Sequence, residues 1–291
     1  MRRTLWVTLI VVALLLITAT AAYAITNGQP DGDNHPYVGL AIFDAVLDED
    51  GNVGPAWRCS ASLISPTLVL TAGHCTDGAL AARVWFDKGP VAWGTWDPEV
   101  SPTCGAATGY PCSGDAEGTP YTNPKYRSAE NPYGGGNGLP AFSYRDVGII
   151  VLDTPIYMAK YAELPTAGLV DTLKNKTKID FVGYGVQEQV MRYPGQPPRA
   201  RWTGLRVRMY APSELVSGKF VHSAEYMRLA LNPGGGSGGT CFGDSGGPDL
   251  LGGTNTVLAV NSYVTNVNCS GVGYSARVDI PEVLEWINSF P

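Results

Sequence analysis

Short apolar or alternating runs, each ended by a turn, dominate this chain of 291 residues and restrict what it can fold into. The runs at 57–63, 179–181, 205–209 and 257–260 have the length and alternation of β-strands. Turns between such runs are supplied by an abundance of glycine and proline, 36 Gly and 22 Pro, which also interrupt helical periodicity. The pattern predicts an all-β sandwich or barrel.

The last segment, at about 280–290, is the one stretch that predicts a helix. Asp279 can cap its N-terminus and Pro281 suits its first turn. An apolar stripe follows, made of Val283, Leu284, Trp286, Ile287 and Phe290. We expect this helix to serve packing rather than chemistry.

The hexapeptide at 243–248, Gly-Asp-Ser-Gly-Gly-Pro, is the strongest chemical signal in the chain. It places Ser245 between glycines that let a substrate backbone approach closely and that aim amide N–H groups at one point. A serine hydroxyl is a weak nucleophile at neutral pH, so it needs a base and an orienting acid. The alternative is a turn serine in a glycine-rich loop, which does not account for the arrangement of Asp, Ser and Pro.

A candidate base and a candidate acid are both present. His74 ends an apolar run in Leu-Thr-Ala-Gly-His-Cys, whereas His35 and His222 have no comparable setting. Asp146 precedes the apolar run 147–152. The structural alternatives are that His74 only caps a loop and that Asp146 only starts a strand at the surface.

Taken together, the order His74, Asp146, Ser245 and the three surrounding motifs resemble the chymotrypsin-like (trypsin-like) serine proteases, over essentially everything after residue 24. The resemblance implies an all-β fold of two packed antiparallel β-barrels with a short C-terminal helix. The first barrel is expected at about 38–160 and the second at about 161–278, with the active site in the cleft between them.

The resemblance also implies a role for each residue. His74 would remove the proton of Ser245, and Asp146 would hold the imidazole tautomer and stabilise its cation. The backbone N–H groups of Gly243 and Ser245 would form the oxyanion hole. The implied reaction is hydrolysis of peptide bonds through an acyl-enzyme on Ser245, which makes the chain a serine endopeptidase.

Residues 1–24 predict a signal peptide, because an arginine pair precedes an apolar core that ends in a small-x-small cleavage site at Ala24. The alternative is an uncleaved membrane anchor, since the apolar stretch is long. We therefore expect a secreted protease domain at 25–291.

Cleavage after Ala24 would itself create an N-terminus of the kind that activates this family. In the family, a freed hydrophobic terminus, commonly Ile-Val-Gly-Gly, inserts its ammonium beside the aspartate that precedes the nucleophile. The segment beginning at Ile25 resembles that terminus, and Asp244 is the matching partner. The hypothesis is that export alone completes activation.

Six cysteines in an exported chain predict three disulfides, and the number alone permits 15 pairings. A metal site is the alternative, but the spacings contain neither a repeated Cys-x-x-Cys nor a His partner. The resemblance selects two pairs and leaves one over to staple an insertion: Cys59 with Cys75, Cys241 with Cys269, and Cys104 with Cys112.

The net charge of the chain restricts which classes of binding partner are expected. A net charge of −6 without a basic run argues against nucleic-acid binding, and loss of residues 1–24 makes the chain still more acidic. The expected partners are polypeptide substrates and protein protease inhibitors, with membrane contact only if the signal stays uncleaved. The resemblance implies a monomer and requires no cofactor. The sequence contains no recognisable calcium-ligand loop, so no metal ligands are assigned.

Five positions are expected to shape the specificity pocket. Gly239 stands where basic-specific members carry an aspartate, so the resemblance argues against cleavage after Arg or Lys. The pocket strand is Ser262-Tyr263-Val264, where Val264 replaces a glycine and would narrow the mouth, and Gly273 stands on the opposite wall. We expect cleavage after small or medium apolar residues. Asp249, where an apolar residue is more usual, is an unexplained departure.

Residues 97–140 are about one-third Pro and Gly, which predicts irregular backbone rather than a further domain. One interpretation is a tolerated surface insertion. The other is a loop that overhangs the cleft and restricts which chains enter. Four tyrosines could then contact extended peptide: Tyr110, Tyr121, Tyr126 and Tyr133.

The sequence has two rival functional interpretations. A catalytically silent homologue would bind a partner through the cleft, but such proteins usually lose one of the three residues and none is lost here. An esterase would use the same chemistry, but the order His, Asp, Ser and the absence of a Gly-x-Ser-x-Gly elbow argue against an α/β-hydrolase.

Overall fold

A computed structural model describes residues 25–26, 28–91, 113–127, 143–190, 201–203, 206–216, 218–220, 223–232, 238–266 and 268–291. At 188–190 and 201–203 only the backbone is described. The predicted signal peptide and the expected pair Cys104 and Cys112 lie outside these ranges. Within them, no helix is long and apolar enough to cross a membrane.

Fifteen strands and three short helices make up the described chain. In chain order they are β1 (Gln29–Pro30), β2 (Val38–Val46), β3 (Val53–Leu63), β4 (Leu68–Thr71), α1 (Gly73–Thr76), β5 (Ala81–Trp85), β6 (Ala116–Thr122), β7 (Gly148–Leu152), α2 (Leu169–Thr172), β8 (Lys178–Gly183), β9 (Glu188–Val190), β10 (Arg201–Thr203), β11 (Met209–Glu214), β12 (Tyr226–Leu231), β13 (Pro248–Leu251), β14 (Val257–Val264), β15 (Gly271–Arg277) and α3 (Pro281–Ile287).

The first six strands after β1 form a closed barrel in the order β2-β3-β4-β7-β6-β5. Its interior is apolar because alternate side chains of each strand point inward; Leu40 and Ile149, for example, are fully buried. Strands β4 and β7 are antiparallel neighbours, with Thr71 opposite Gly148. The end of β4 and the start of β7 therefore meet at one rim of the barrel.

The expectation of irregular backbone throughout residues 97–140 is wrong, because this range contains strand β6. Residues Ala116–Thr122 pair with both β5 and β7 and close the barrel. Gly118 is required there by close packing, since a Cβ at that position would lie 2.4 Å from the carbonyl oxygen of Val151. A glycine that signals a turn in the sequence here marks close contact between strands.

The second unit is a seven-stranded antiparallel sheet in the order β1-β11-β8-β13-β14-β15-β12. The sheet curls, because Leu215, just after β11, bridges Leu229 of β12. Strand β13 begins at the last residue of the hexapeptide and lies between β8 and β14. The predicted all-β fold of two packed barrel-like units with a C-terminal helix is confirmed.

The strand predicted at 205–209 is wrong in its bounds. Arg206 has φ +53°, a left-handed conformation that ends a strand, and β11 begins only at Met209. The alternation of apolar and polar residues at 205–209 does not reflect a strand there, because one of its polar residues is buried. The Arg208 side chain is buried and donates hydrogen bonds to the Asp31 carboxylate and to backbone carbonyls, including that of Phe86 in the first barrel.

The C-terminal helix is confirmed at Pro281–Ile287, but Asp279 does not cap it. The residue at the N-cap position is Ile280, with no side-chain hydrogen bond. Asp279 is fully buried and instead accepts hydrogen bonds from the Arg277 guanidinium and from the backbone N–H of Val170. A buried arginine competes successfully for the carboxylate because an unpaired buried charge is costly.

Asp249 is a buried acid in the core of the second sheet. It lies on β13 opposite Phe181 and Ala259, which belong to the same apolar cluster as Ile25. Neither carboxylate oxygen makes a well-formed hydrogen bond with another residue in the described part of the chain. Burial raises the pKa of this carboxyl well above its usual range, although the Ser275 hydroxyl beside it acts in the opposite direction.

Replacing Asp249 with valine should stabilise the protein. The folded state keeps the Asp249 proton at pH values where the unfolded chain has lost it, so this residue lowers stability as the pH rises above about 4. We expect Asp249→Val to raise the free energy of unfolding by about 1–3 kcal/mol at pH 8 and by less at pH 5. Urea denaturation at both pH values measures this.

The matched control is Asp153→Val, which also removes an acid but at an exposed position. It should change stability by no more than about 0.5 kcal/mol. A loss of stability in Asp249→Val at both pH values would show that the carboxyl has a favourable partner in the folded chain.

Candidate active site

His74 and Asp146 are brought together at the rim where β4 ends and β7 begins. The Nδ1 atom of His74 lies 2.9 Å from Oδ2 of Asp146. The backbone N–H of His74 donates to Oδ1 of the same carboxylate at 2.7 Å. Both the imidazole ring and the backbone that carries it are therefore fixed by one acid.

The Asp146 carboxylate is 1% exposed and also accepts a hydrogen bond from the hydroxyl of Ser262 on β14. Burial disfavours its charged form, but the His74 ring and these hydrogen bonds outweigh burial and hold the pKa of Asp146 below its usual value. The pKa of His74 is raised: burial opposes the imidazolium, and the Asp146 charge overcomes that effect. The ionised Asp146 therefore stabilises the imidazolium that forms when His74 takes up a proton.

Glycine at position 73 permits this contact. A Cβ at Gly73 would lie 3.0 Å from the backbone nitrogen of Val147 and 3.2 Å from Oδ1 of Asp146. It would also press on the ring of Tyr126. The missing side chain lets the segment before His74 pack directly against the Asp146 carboxylate and the Val147 backbone.

The loop that carries Ser245 is held against the first barrel by Ser60 of β3. The backbone N–H of Ser60 donates to the carbonyl of Ser245 at 2.8 Å, and its hydroxyl donates to the carbonyl of Gly243 at 3.0 Å. Gly246 packs on the segment before His74, where a Cβ would lie 2.0 Å from Oγ1 of Thr71. These contacts bring the Ser245 loop to the same rim as His74.

Gly243 and Ser245 offer free donors. Gly243 has φ +92°, a conformation that glycine adopts without strain. In the part of the chain that the structure describes, neither Gly243 nor Ser245 donates its backbone N–H to another residue. Two unpaired N–H groups next to a serine hydroxyl can receive a developing negative charge.

Asp244 is fully buried behind this loop. Its carboxylate accepts hydrogen bonds from the backbone N–H groups of Gly185 at 2.8 Å and Cys241 at 2.9 Å. Burial nevertheless raises the pKa of Asp244 to about 7. The carboxylate is thus poorly compensated in this chain.

Ile25, the expected partner of Asp244, is fully buried in the second sheet and has φ +50°, which is strained for a β-branched residue. In the full-length chain its nitrogen is bonded to Ala24. No hydrogen bond or ion pair joins Ile25 to Asp244 among the described residues. Their pairing remains a prediction for a chain that begins at Ile25.

A cavity of about 170 Å³ opens beside Ser245. It lies between the segment before the hexapeptide and the end of β14. Its lining residues are Thr240, Cys241, Phe242, Ser245, Asn261, Ser262, Tyr263 and Val264. It is smaller than the usual range of ligand sites, roughly 300–1,000 Å³, so it suits a single side chain.

The expected pocket residues fall into two groups. Ser262, Tyr263 and Val264 line the cavity, whereas Gly239 and Gly273 do not. A Cβ at either glycine would lie 3.1 Å from an atom of Leu231, so this leucine fills the space between them.

Sequence reasoning missed four residues of the cavity region. Thr240, Phe242 and Asn261 line it, and their position beside the two motifs was a signal that could have found them. Leu231 had no such signal, because it lies on β12 and reaches the glycines only through sheet pairing.

Two of the expected disulfides are present, Cys59–Cys75 and Cys241–Cys269. The first adjoins His74 and the second adjoins the cavity. Among the described residues, the one grouping of possible metal ligands is Cys59, His74 and Cys75, and its two cysteines are bonded to each other. It therefore offers no thiolate to a metal.

Comparisons with known proteins bear on the fold. No protein-family model and no curated protein matches this sequence. Solved structures do match. HL collagenase superposes with a TM-score of 0.57 at 18% identity, over 92% of this chain and 96% of that chain. Human heparin binding protein superposes with a TM-score of 0.53 at 16% identity, over 91% of this chain and 96% of that chain.

At sequence identities this low, the similarity to these structures concerns the fold. The closed barrel, the curled second sheet and the C-terminal helix occur here in the order that the sequence resemblance implied. The chain has the fold of the chymotrypsin-like serine proteases.

Proposed function

We propose that this protein is a serine endopeptidase that hydrolyses peptide bonds through an acyl-enzyme on Ser245. The observation that carries the proposal is the fixed His74–Asp146 pair beside a serine loop whose N–H groups have no partner among the described residues. Each part of acyl-transfer chemistry then has a group to perform it.

The Ser245 oxygen attacks the substrate carbonyl while the second ring nitrogen of His74 takes its proton. The resulting imidazolium is stabilised by the ionised Asp146, consistent with the raised pKa of His74. The same proton then passes to the leaving amine as the peptide bond breaks. In the second half-reaction His74 takes a proton from water, the water oxygen attacks the acyl-enzyme, and the proton returns to the Ser245 oxygen. Asp146 keeps its charge throughout.

The N–H groups of Gly243 and Ser245 receive the oxyanion of each tetrahedral intermediate. A donor of this kind typically contributes about 3–4 kcal/mol to lowering the barrier. This contribution requires that the Ser245 loop is held in place before substrate binds. Ser60 holds the loop through two hydrogen bonds.

The cavity beside Ser245 is the proposed site for the side chain before the scissile bond. Its small volume and the Val264 side chain in its wall support cleavage after small or medium apolar residues. Leu231 packs against the positions of both Gly239 and Gly273, so neither glycine enlarges the cavity, which supports the same preference.

Secretion is part of the proposal. It rests on the predicted signal peptide at 1–24 and on two disulfides, which persist in oxidising compartments. Polypeptides are the proposed substrates, protein protease inhibitors the further partners, and a monomer the proposed state.

A second candidate function is binding without catalysis, since one of the similar structures is a heparin binding protein. Heparin is a polyanion and requires a basic surface. This chain carries a net charge of −6, and its His74–Asp146 pair is complete. Both facts favour the peptidase.

The first test is cleavage of a diverse peptide mixture, with every cut read by mass spectrometry. The intact enzyme should cut after Ala, Val or Leu. Ser245→Ala should lose activity by about 10⁶-fold, and Asp146→Asn by about 10⁴-fold because the imidazole is held in the wrong tautomer. Cuts that persist in Ser245→Ala would contradict the mechanism, and cuts after Arg or Lys would contradict the pocket assignment.

The second test concerns the N-terminus. A chain that begins at Ile25 presents an ammonium group that can pair with the poorly compensated Asp244. Loss of the bond to Ala24 also removes the backbone strain at Ile25. One added alanine should lower kcat/KM by about 100-fold or more, because a buried charge without its partner is costly. An Ile25→Val chain with a free terminus is the control and should stay active. Equal activity of the extended chain would refute this activation step.

A further inference from the structure

Arg58 of β3 is a cation beside the Ser245 loop, and the proposed mechanism gives its charge no role. A Cβ at Gly243 would lie 3.4 Å from Nε of Arg58 and 3.9 Å from its Nη2. The guanidinium therefore lies against Gly243, on the side where any other residue would carry a side chain. Arg58 is half-buried, so part of this residue remains accessible to solvent.

Local strand geometry fixes this position. Ser60, two residues along the same strand, bonds the carbonyls of Ser245 and Gly243. Side chains two apart on a strand point to the same face. Arg58 is therefore directed toward the Gly243 loop by the same backbone that holds this loop.

The Arg58 guanidinium has no ion pair and no hydrogen bond with any other residue that the structure describes. The acid that it influences is Asp244, whose pKa its charge lowers, but burial outweighs that effect. Other arginines in this acidic chain behave differently. Arg145, Arg208 and Arg277 are each paired with a carboxylate.

The strand of Arg58 is connected to the His74 segment, which in the proposed mechanism is the side where the leaving group departs. Cys59, the neighbour of Arg58, is bonded to Cys75, which follows His74, and His74 delivers the proton to the leaving amine. The cavity for the residue before the scissile bond is on the other side, along Thr240 to Phe242 and the end of β14.

From these observations, and resting on the proposed peptidase function, we infer that Arg58 binds an acidic side chain of the substrate on the leaving-group side. The residue it selects is Asp or Glu at the first or second position after the scissile bond. A guanidinium binds a carboxylate through charge-assisted, bidentate hydrogen bonds. The enzyme would thus be selective on both sides of the bond, for a small residue before it and an acidic residue after it.

The experiment compares peptides that differ only in Glu against Gln at each of these two positions, with alanine before the bond. The quantity measured is the ratio of kcat/KM for the Glu peptide to that for the Gln peptide. This ratio cancels any change in the fraction of active enzyme. We expect a ratio of about five to ten at one position in the parent enzyme.

Three variants test the residue. Arg58→Gln should bring the ratio to about one, and Arg58→Lys should keep a part of the preference. Lys178→Gln removes one positive charge at an exposed pair with Glu214, remote from the cleft, and should keep the parent ratio. If Arg58 only supports the Asp244 loop, Arg58→Gln will slow both peptides equally, and the unchanged ratio will overturn the inference.

Cleavage by the parent enzyme distinguishes a failure of this inference from a failure of the proposed function. Ser245-dependent cleavage with a ratio of one at both positions would overturn the role of Arg58 and leave the peptidase standing. Absence of any Ser245-dependent cleavage would overturn both.

Discussion

Ser60 is the contact on which the rest of the site depends. It belongs to the first barrel, yet its backbone N–H and hydroxyl bond the two carbonyls that flank Asp244. The same hydroxyl accepts a hydrogen bond from the N–H of Tyr184 after β8, and its own carbonyl accepts one from the Thr71 hydroxyl. One small buried residue thus joins the rim that carries His74, the Ser245 loop and the second sheet.

The acid is held in a similar way across the two units. Asp146 comes from the first barrel and Ser262 from the second sheet, and they share a hydrogen bond. A relative shift of the two units would separate them and leave a buried carboxylate less well compensated, which is costly. The site is therefore assembled by the packing of the units, and the same packing resists their displacement.

Sequence reasoning identified the candidate catalytic residues more fully than the packing around them. His74, Asp146 and Ser245 could be predicted because each lies in a local motif whose chemistry depends on the residues next to it. The strand β6 was missed because Gly118 and Pro120 signal turns locally, while the close approach of Val151 that requires a glycine comes from another part of the chain. Asp279 was misassigned for the same reason, since its partner Arg277 is recognisable only once both are buried. Leu231 and Arg58 reach the site through sheet pairing, which no local pattern encodes.

The disulfide Cys59–Cys75 also connects the site to its surroundings. It ties the strand that holds the serine loop, through Ser60, to the helix α1 that carries His74. If this disulfide were reduced, the strand that carries Ser60 would lose its covalent cross-link to the helix that carries His74. The redox state of the environment then bears on the geometry of the candidate site: in a reducing compartment the His74 segment and the strand that holds the serine loop would be aligned by non-covalent packing alone.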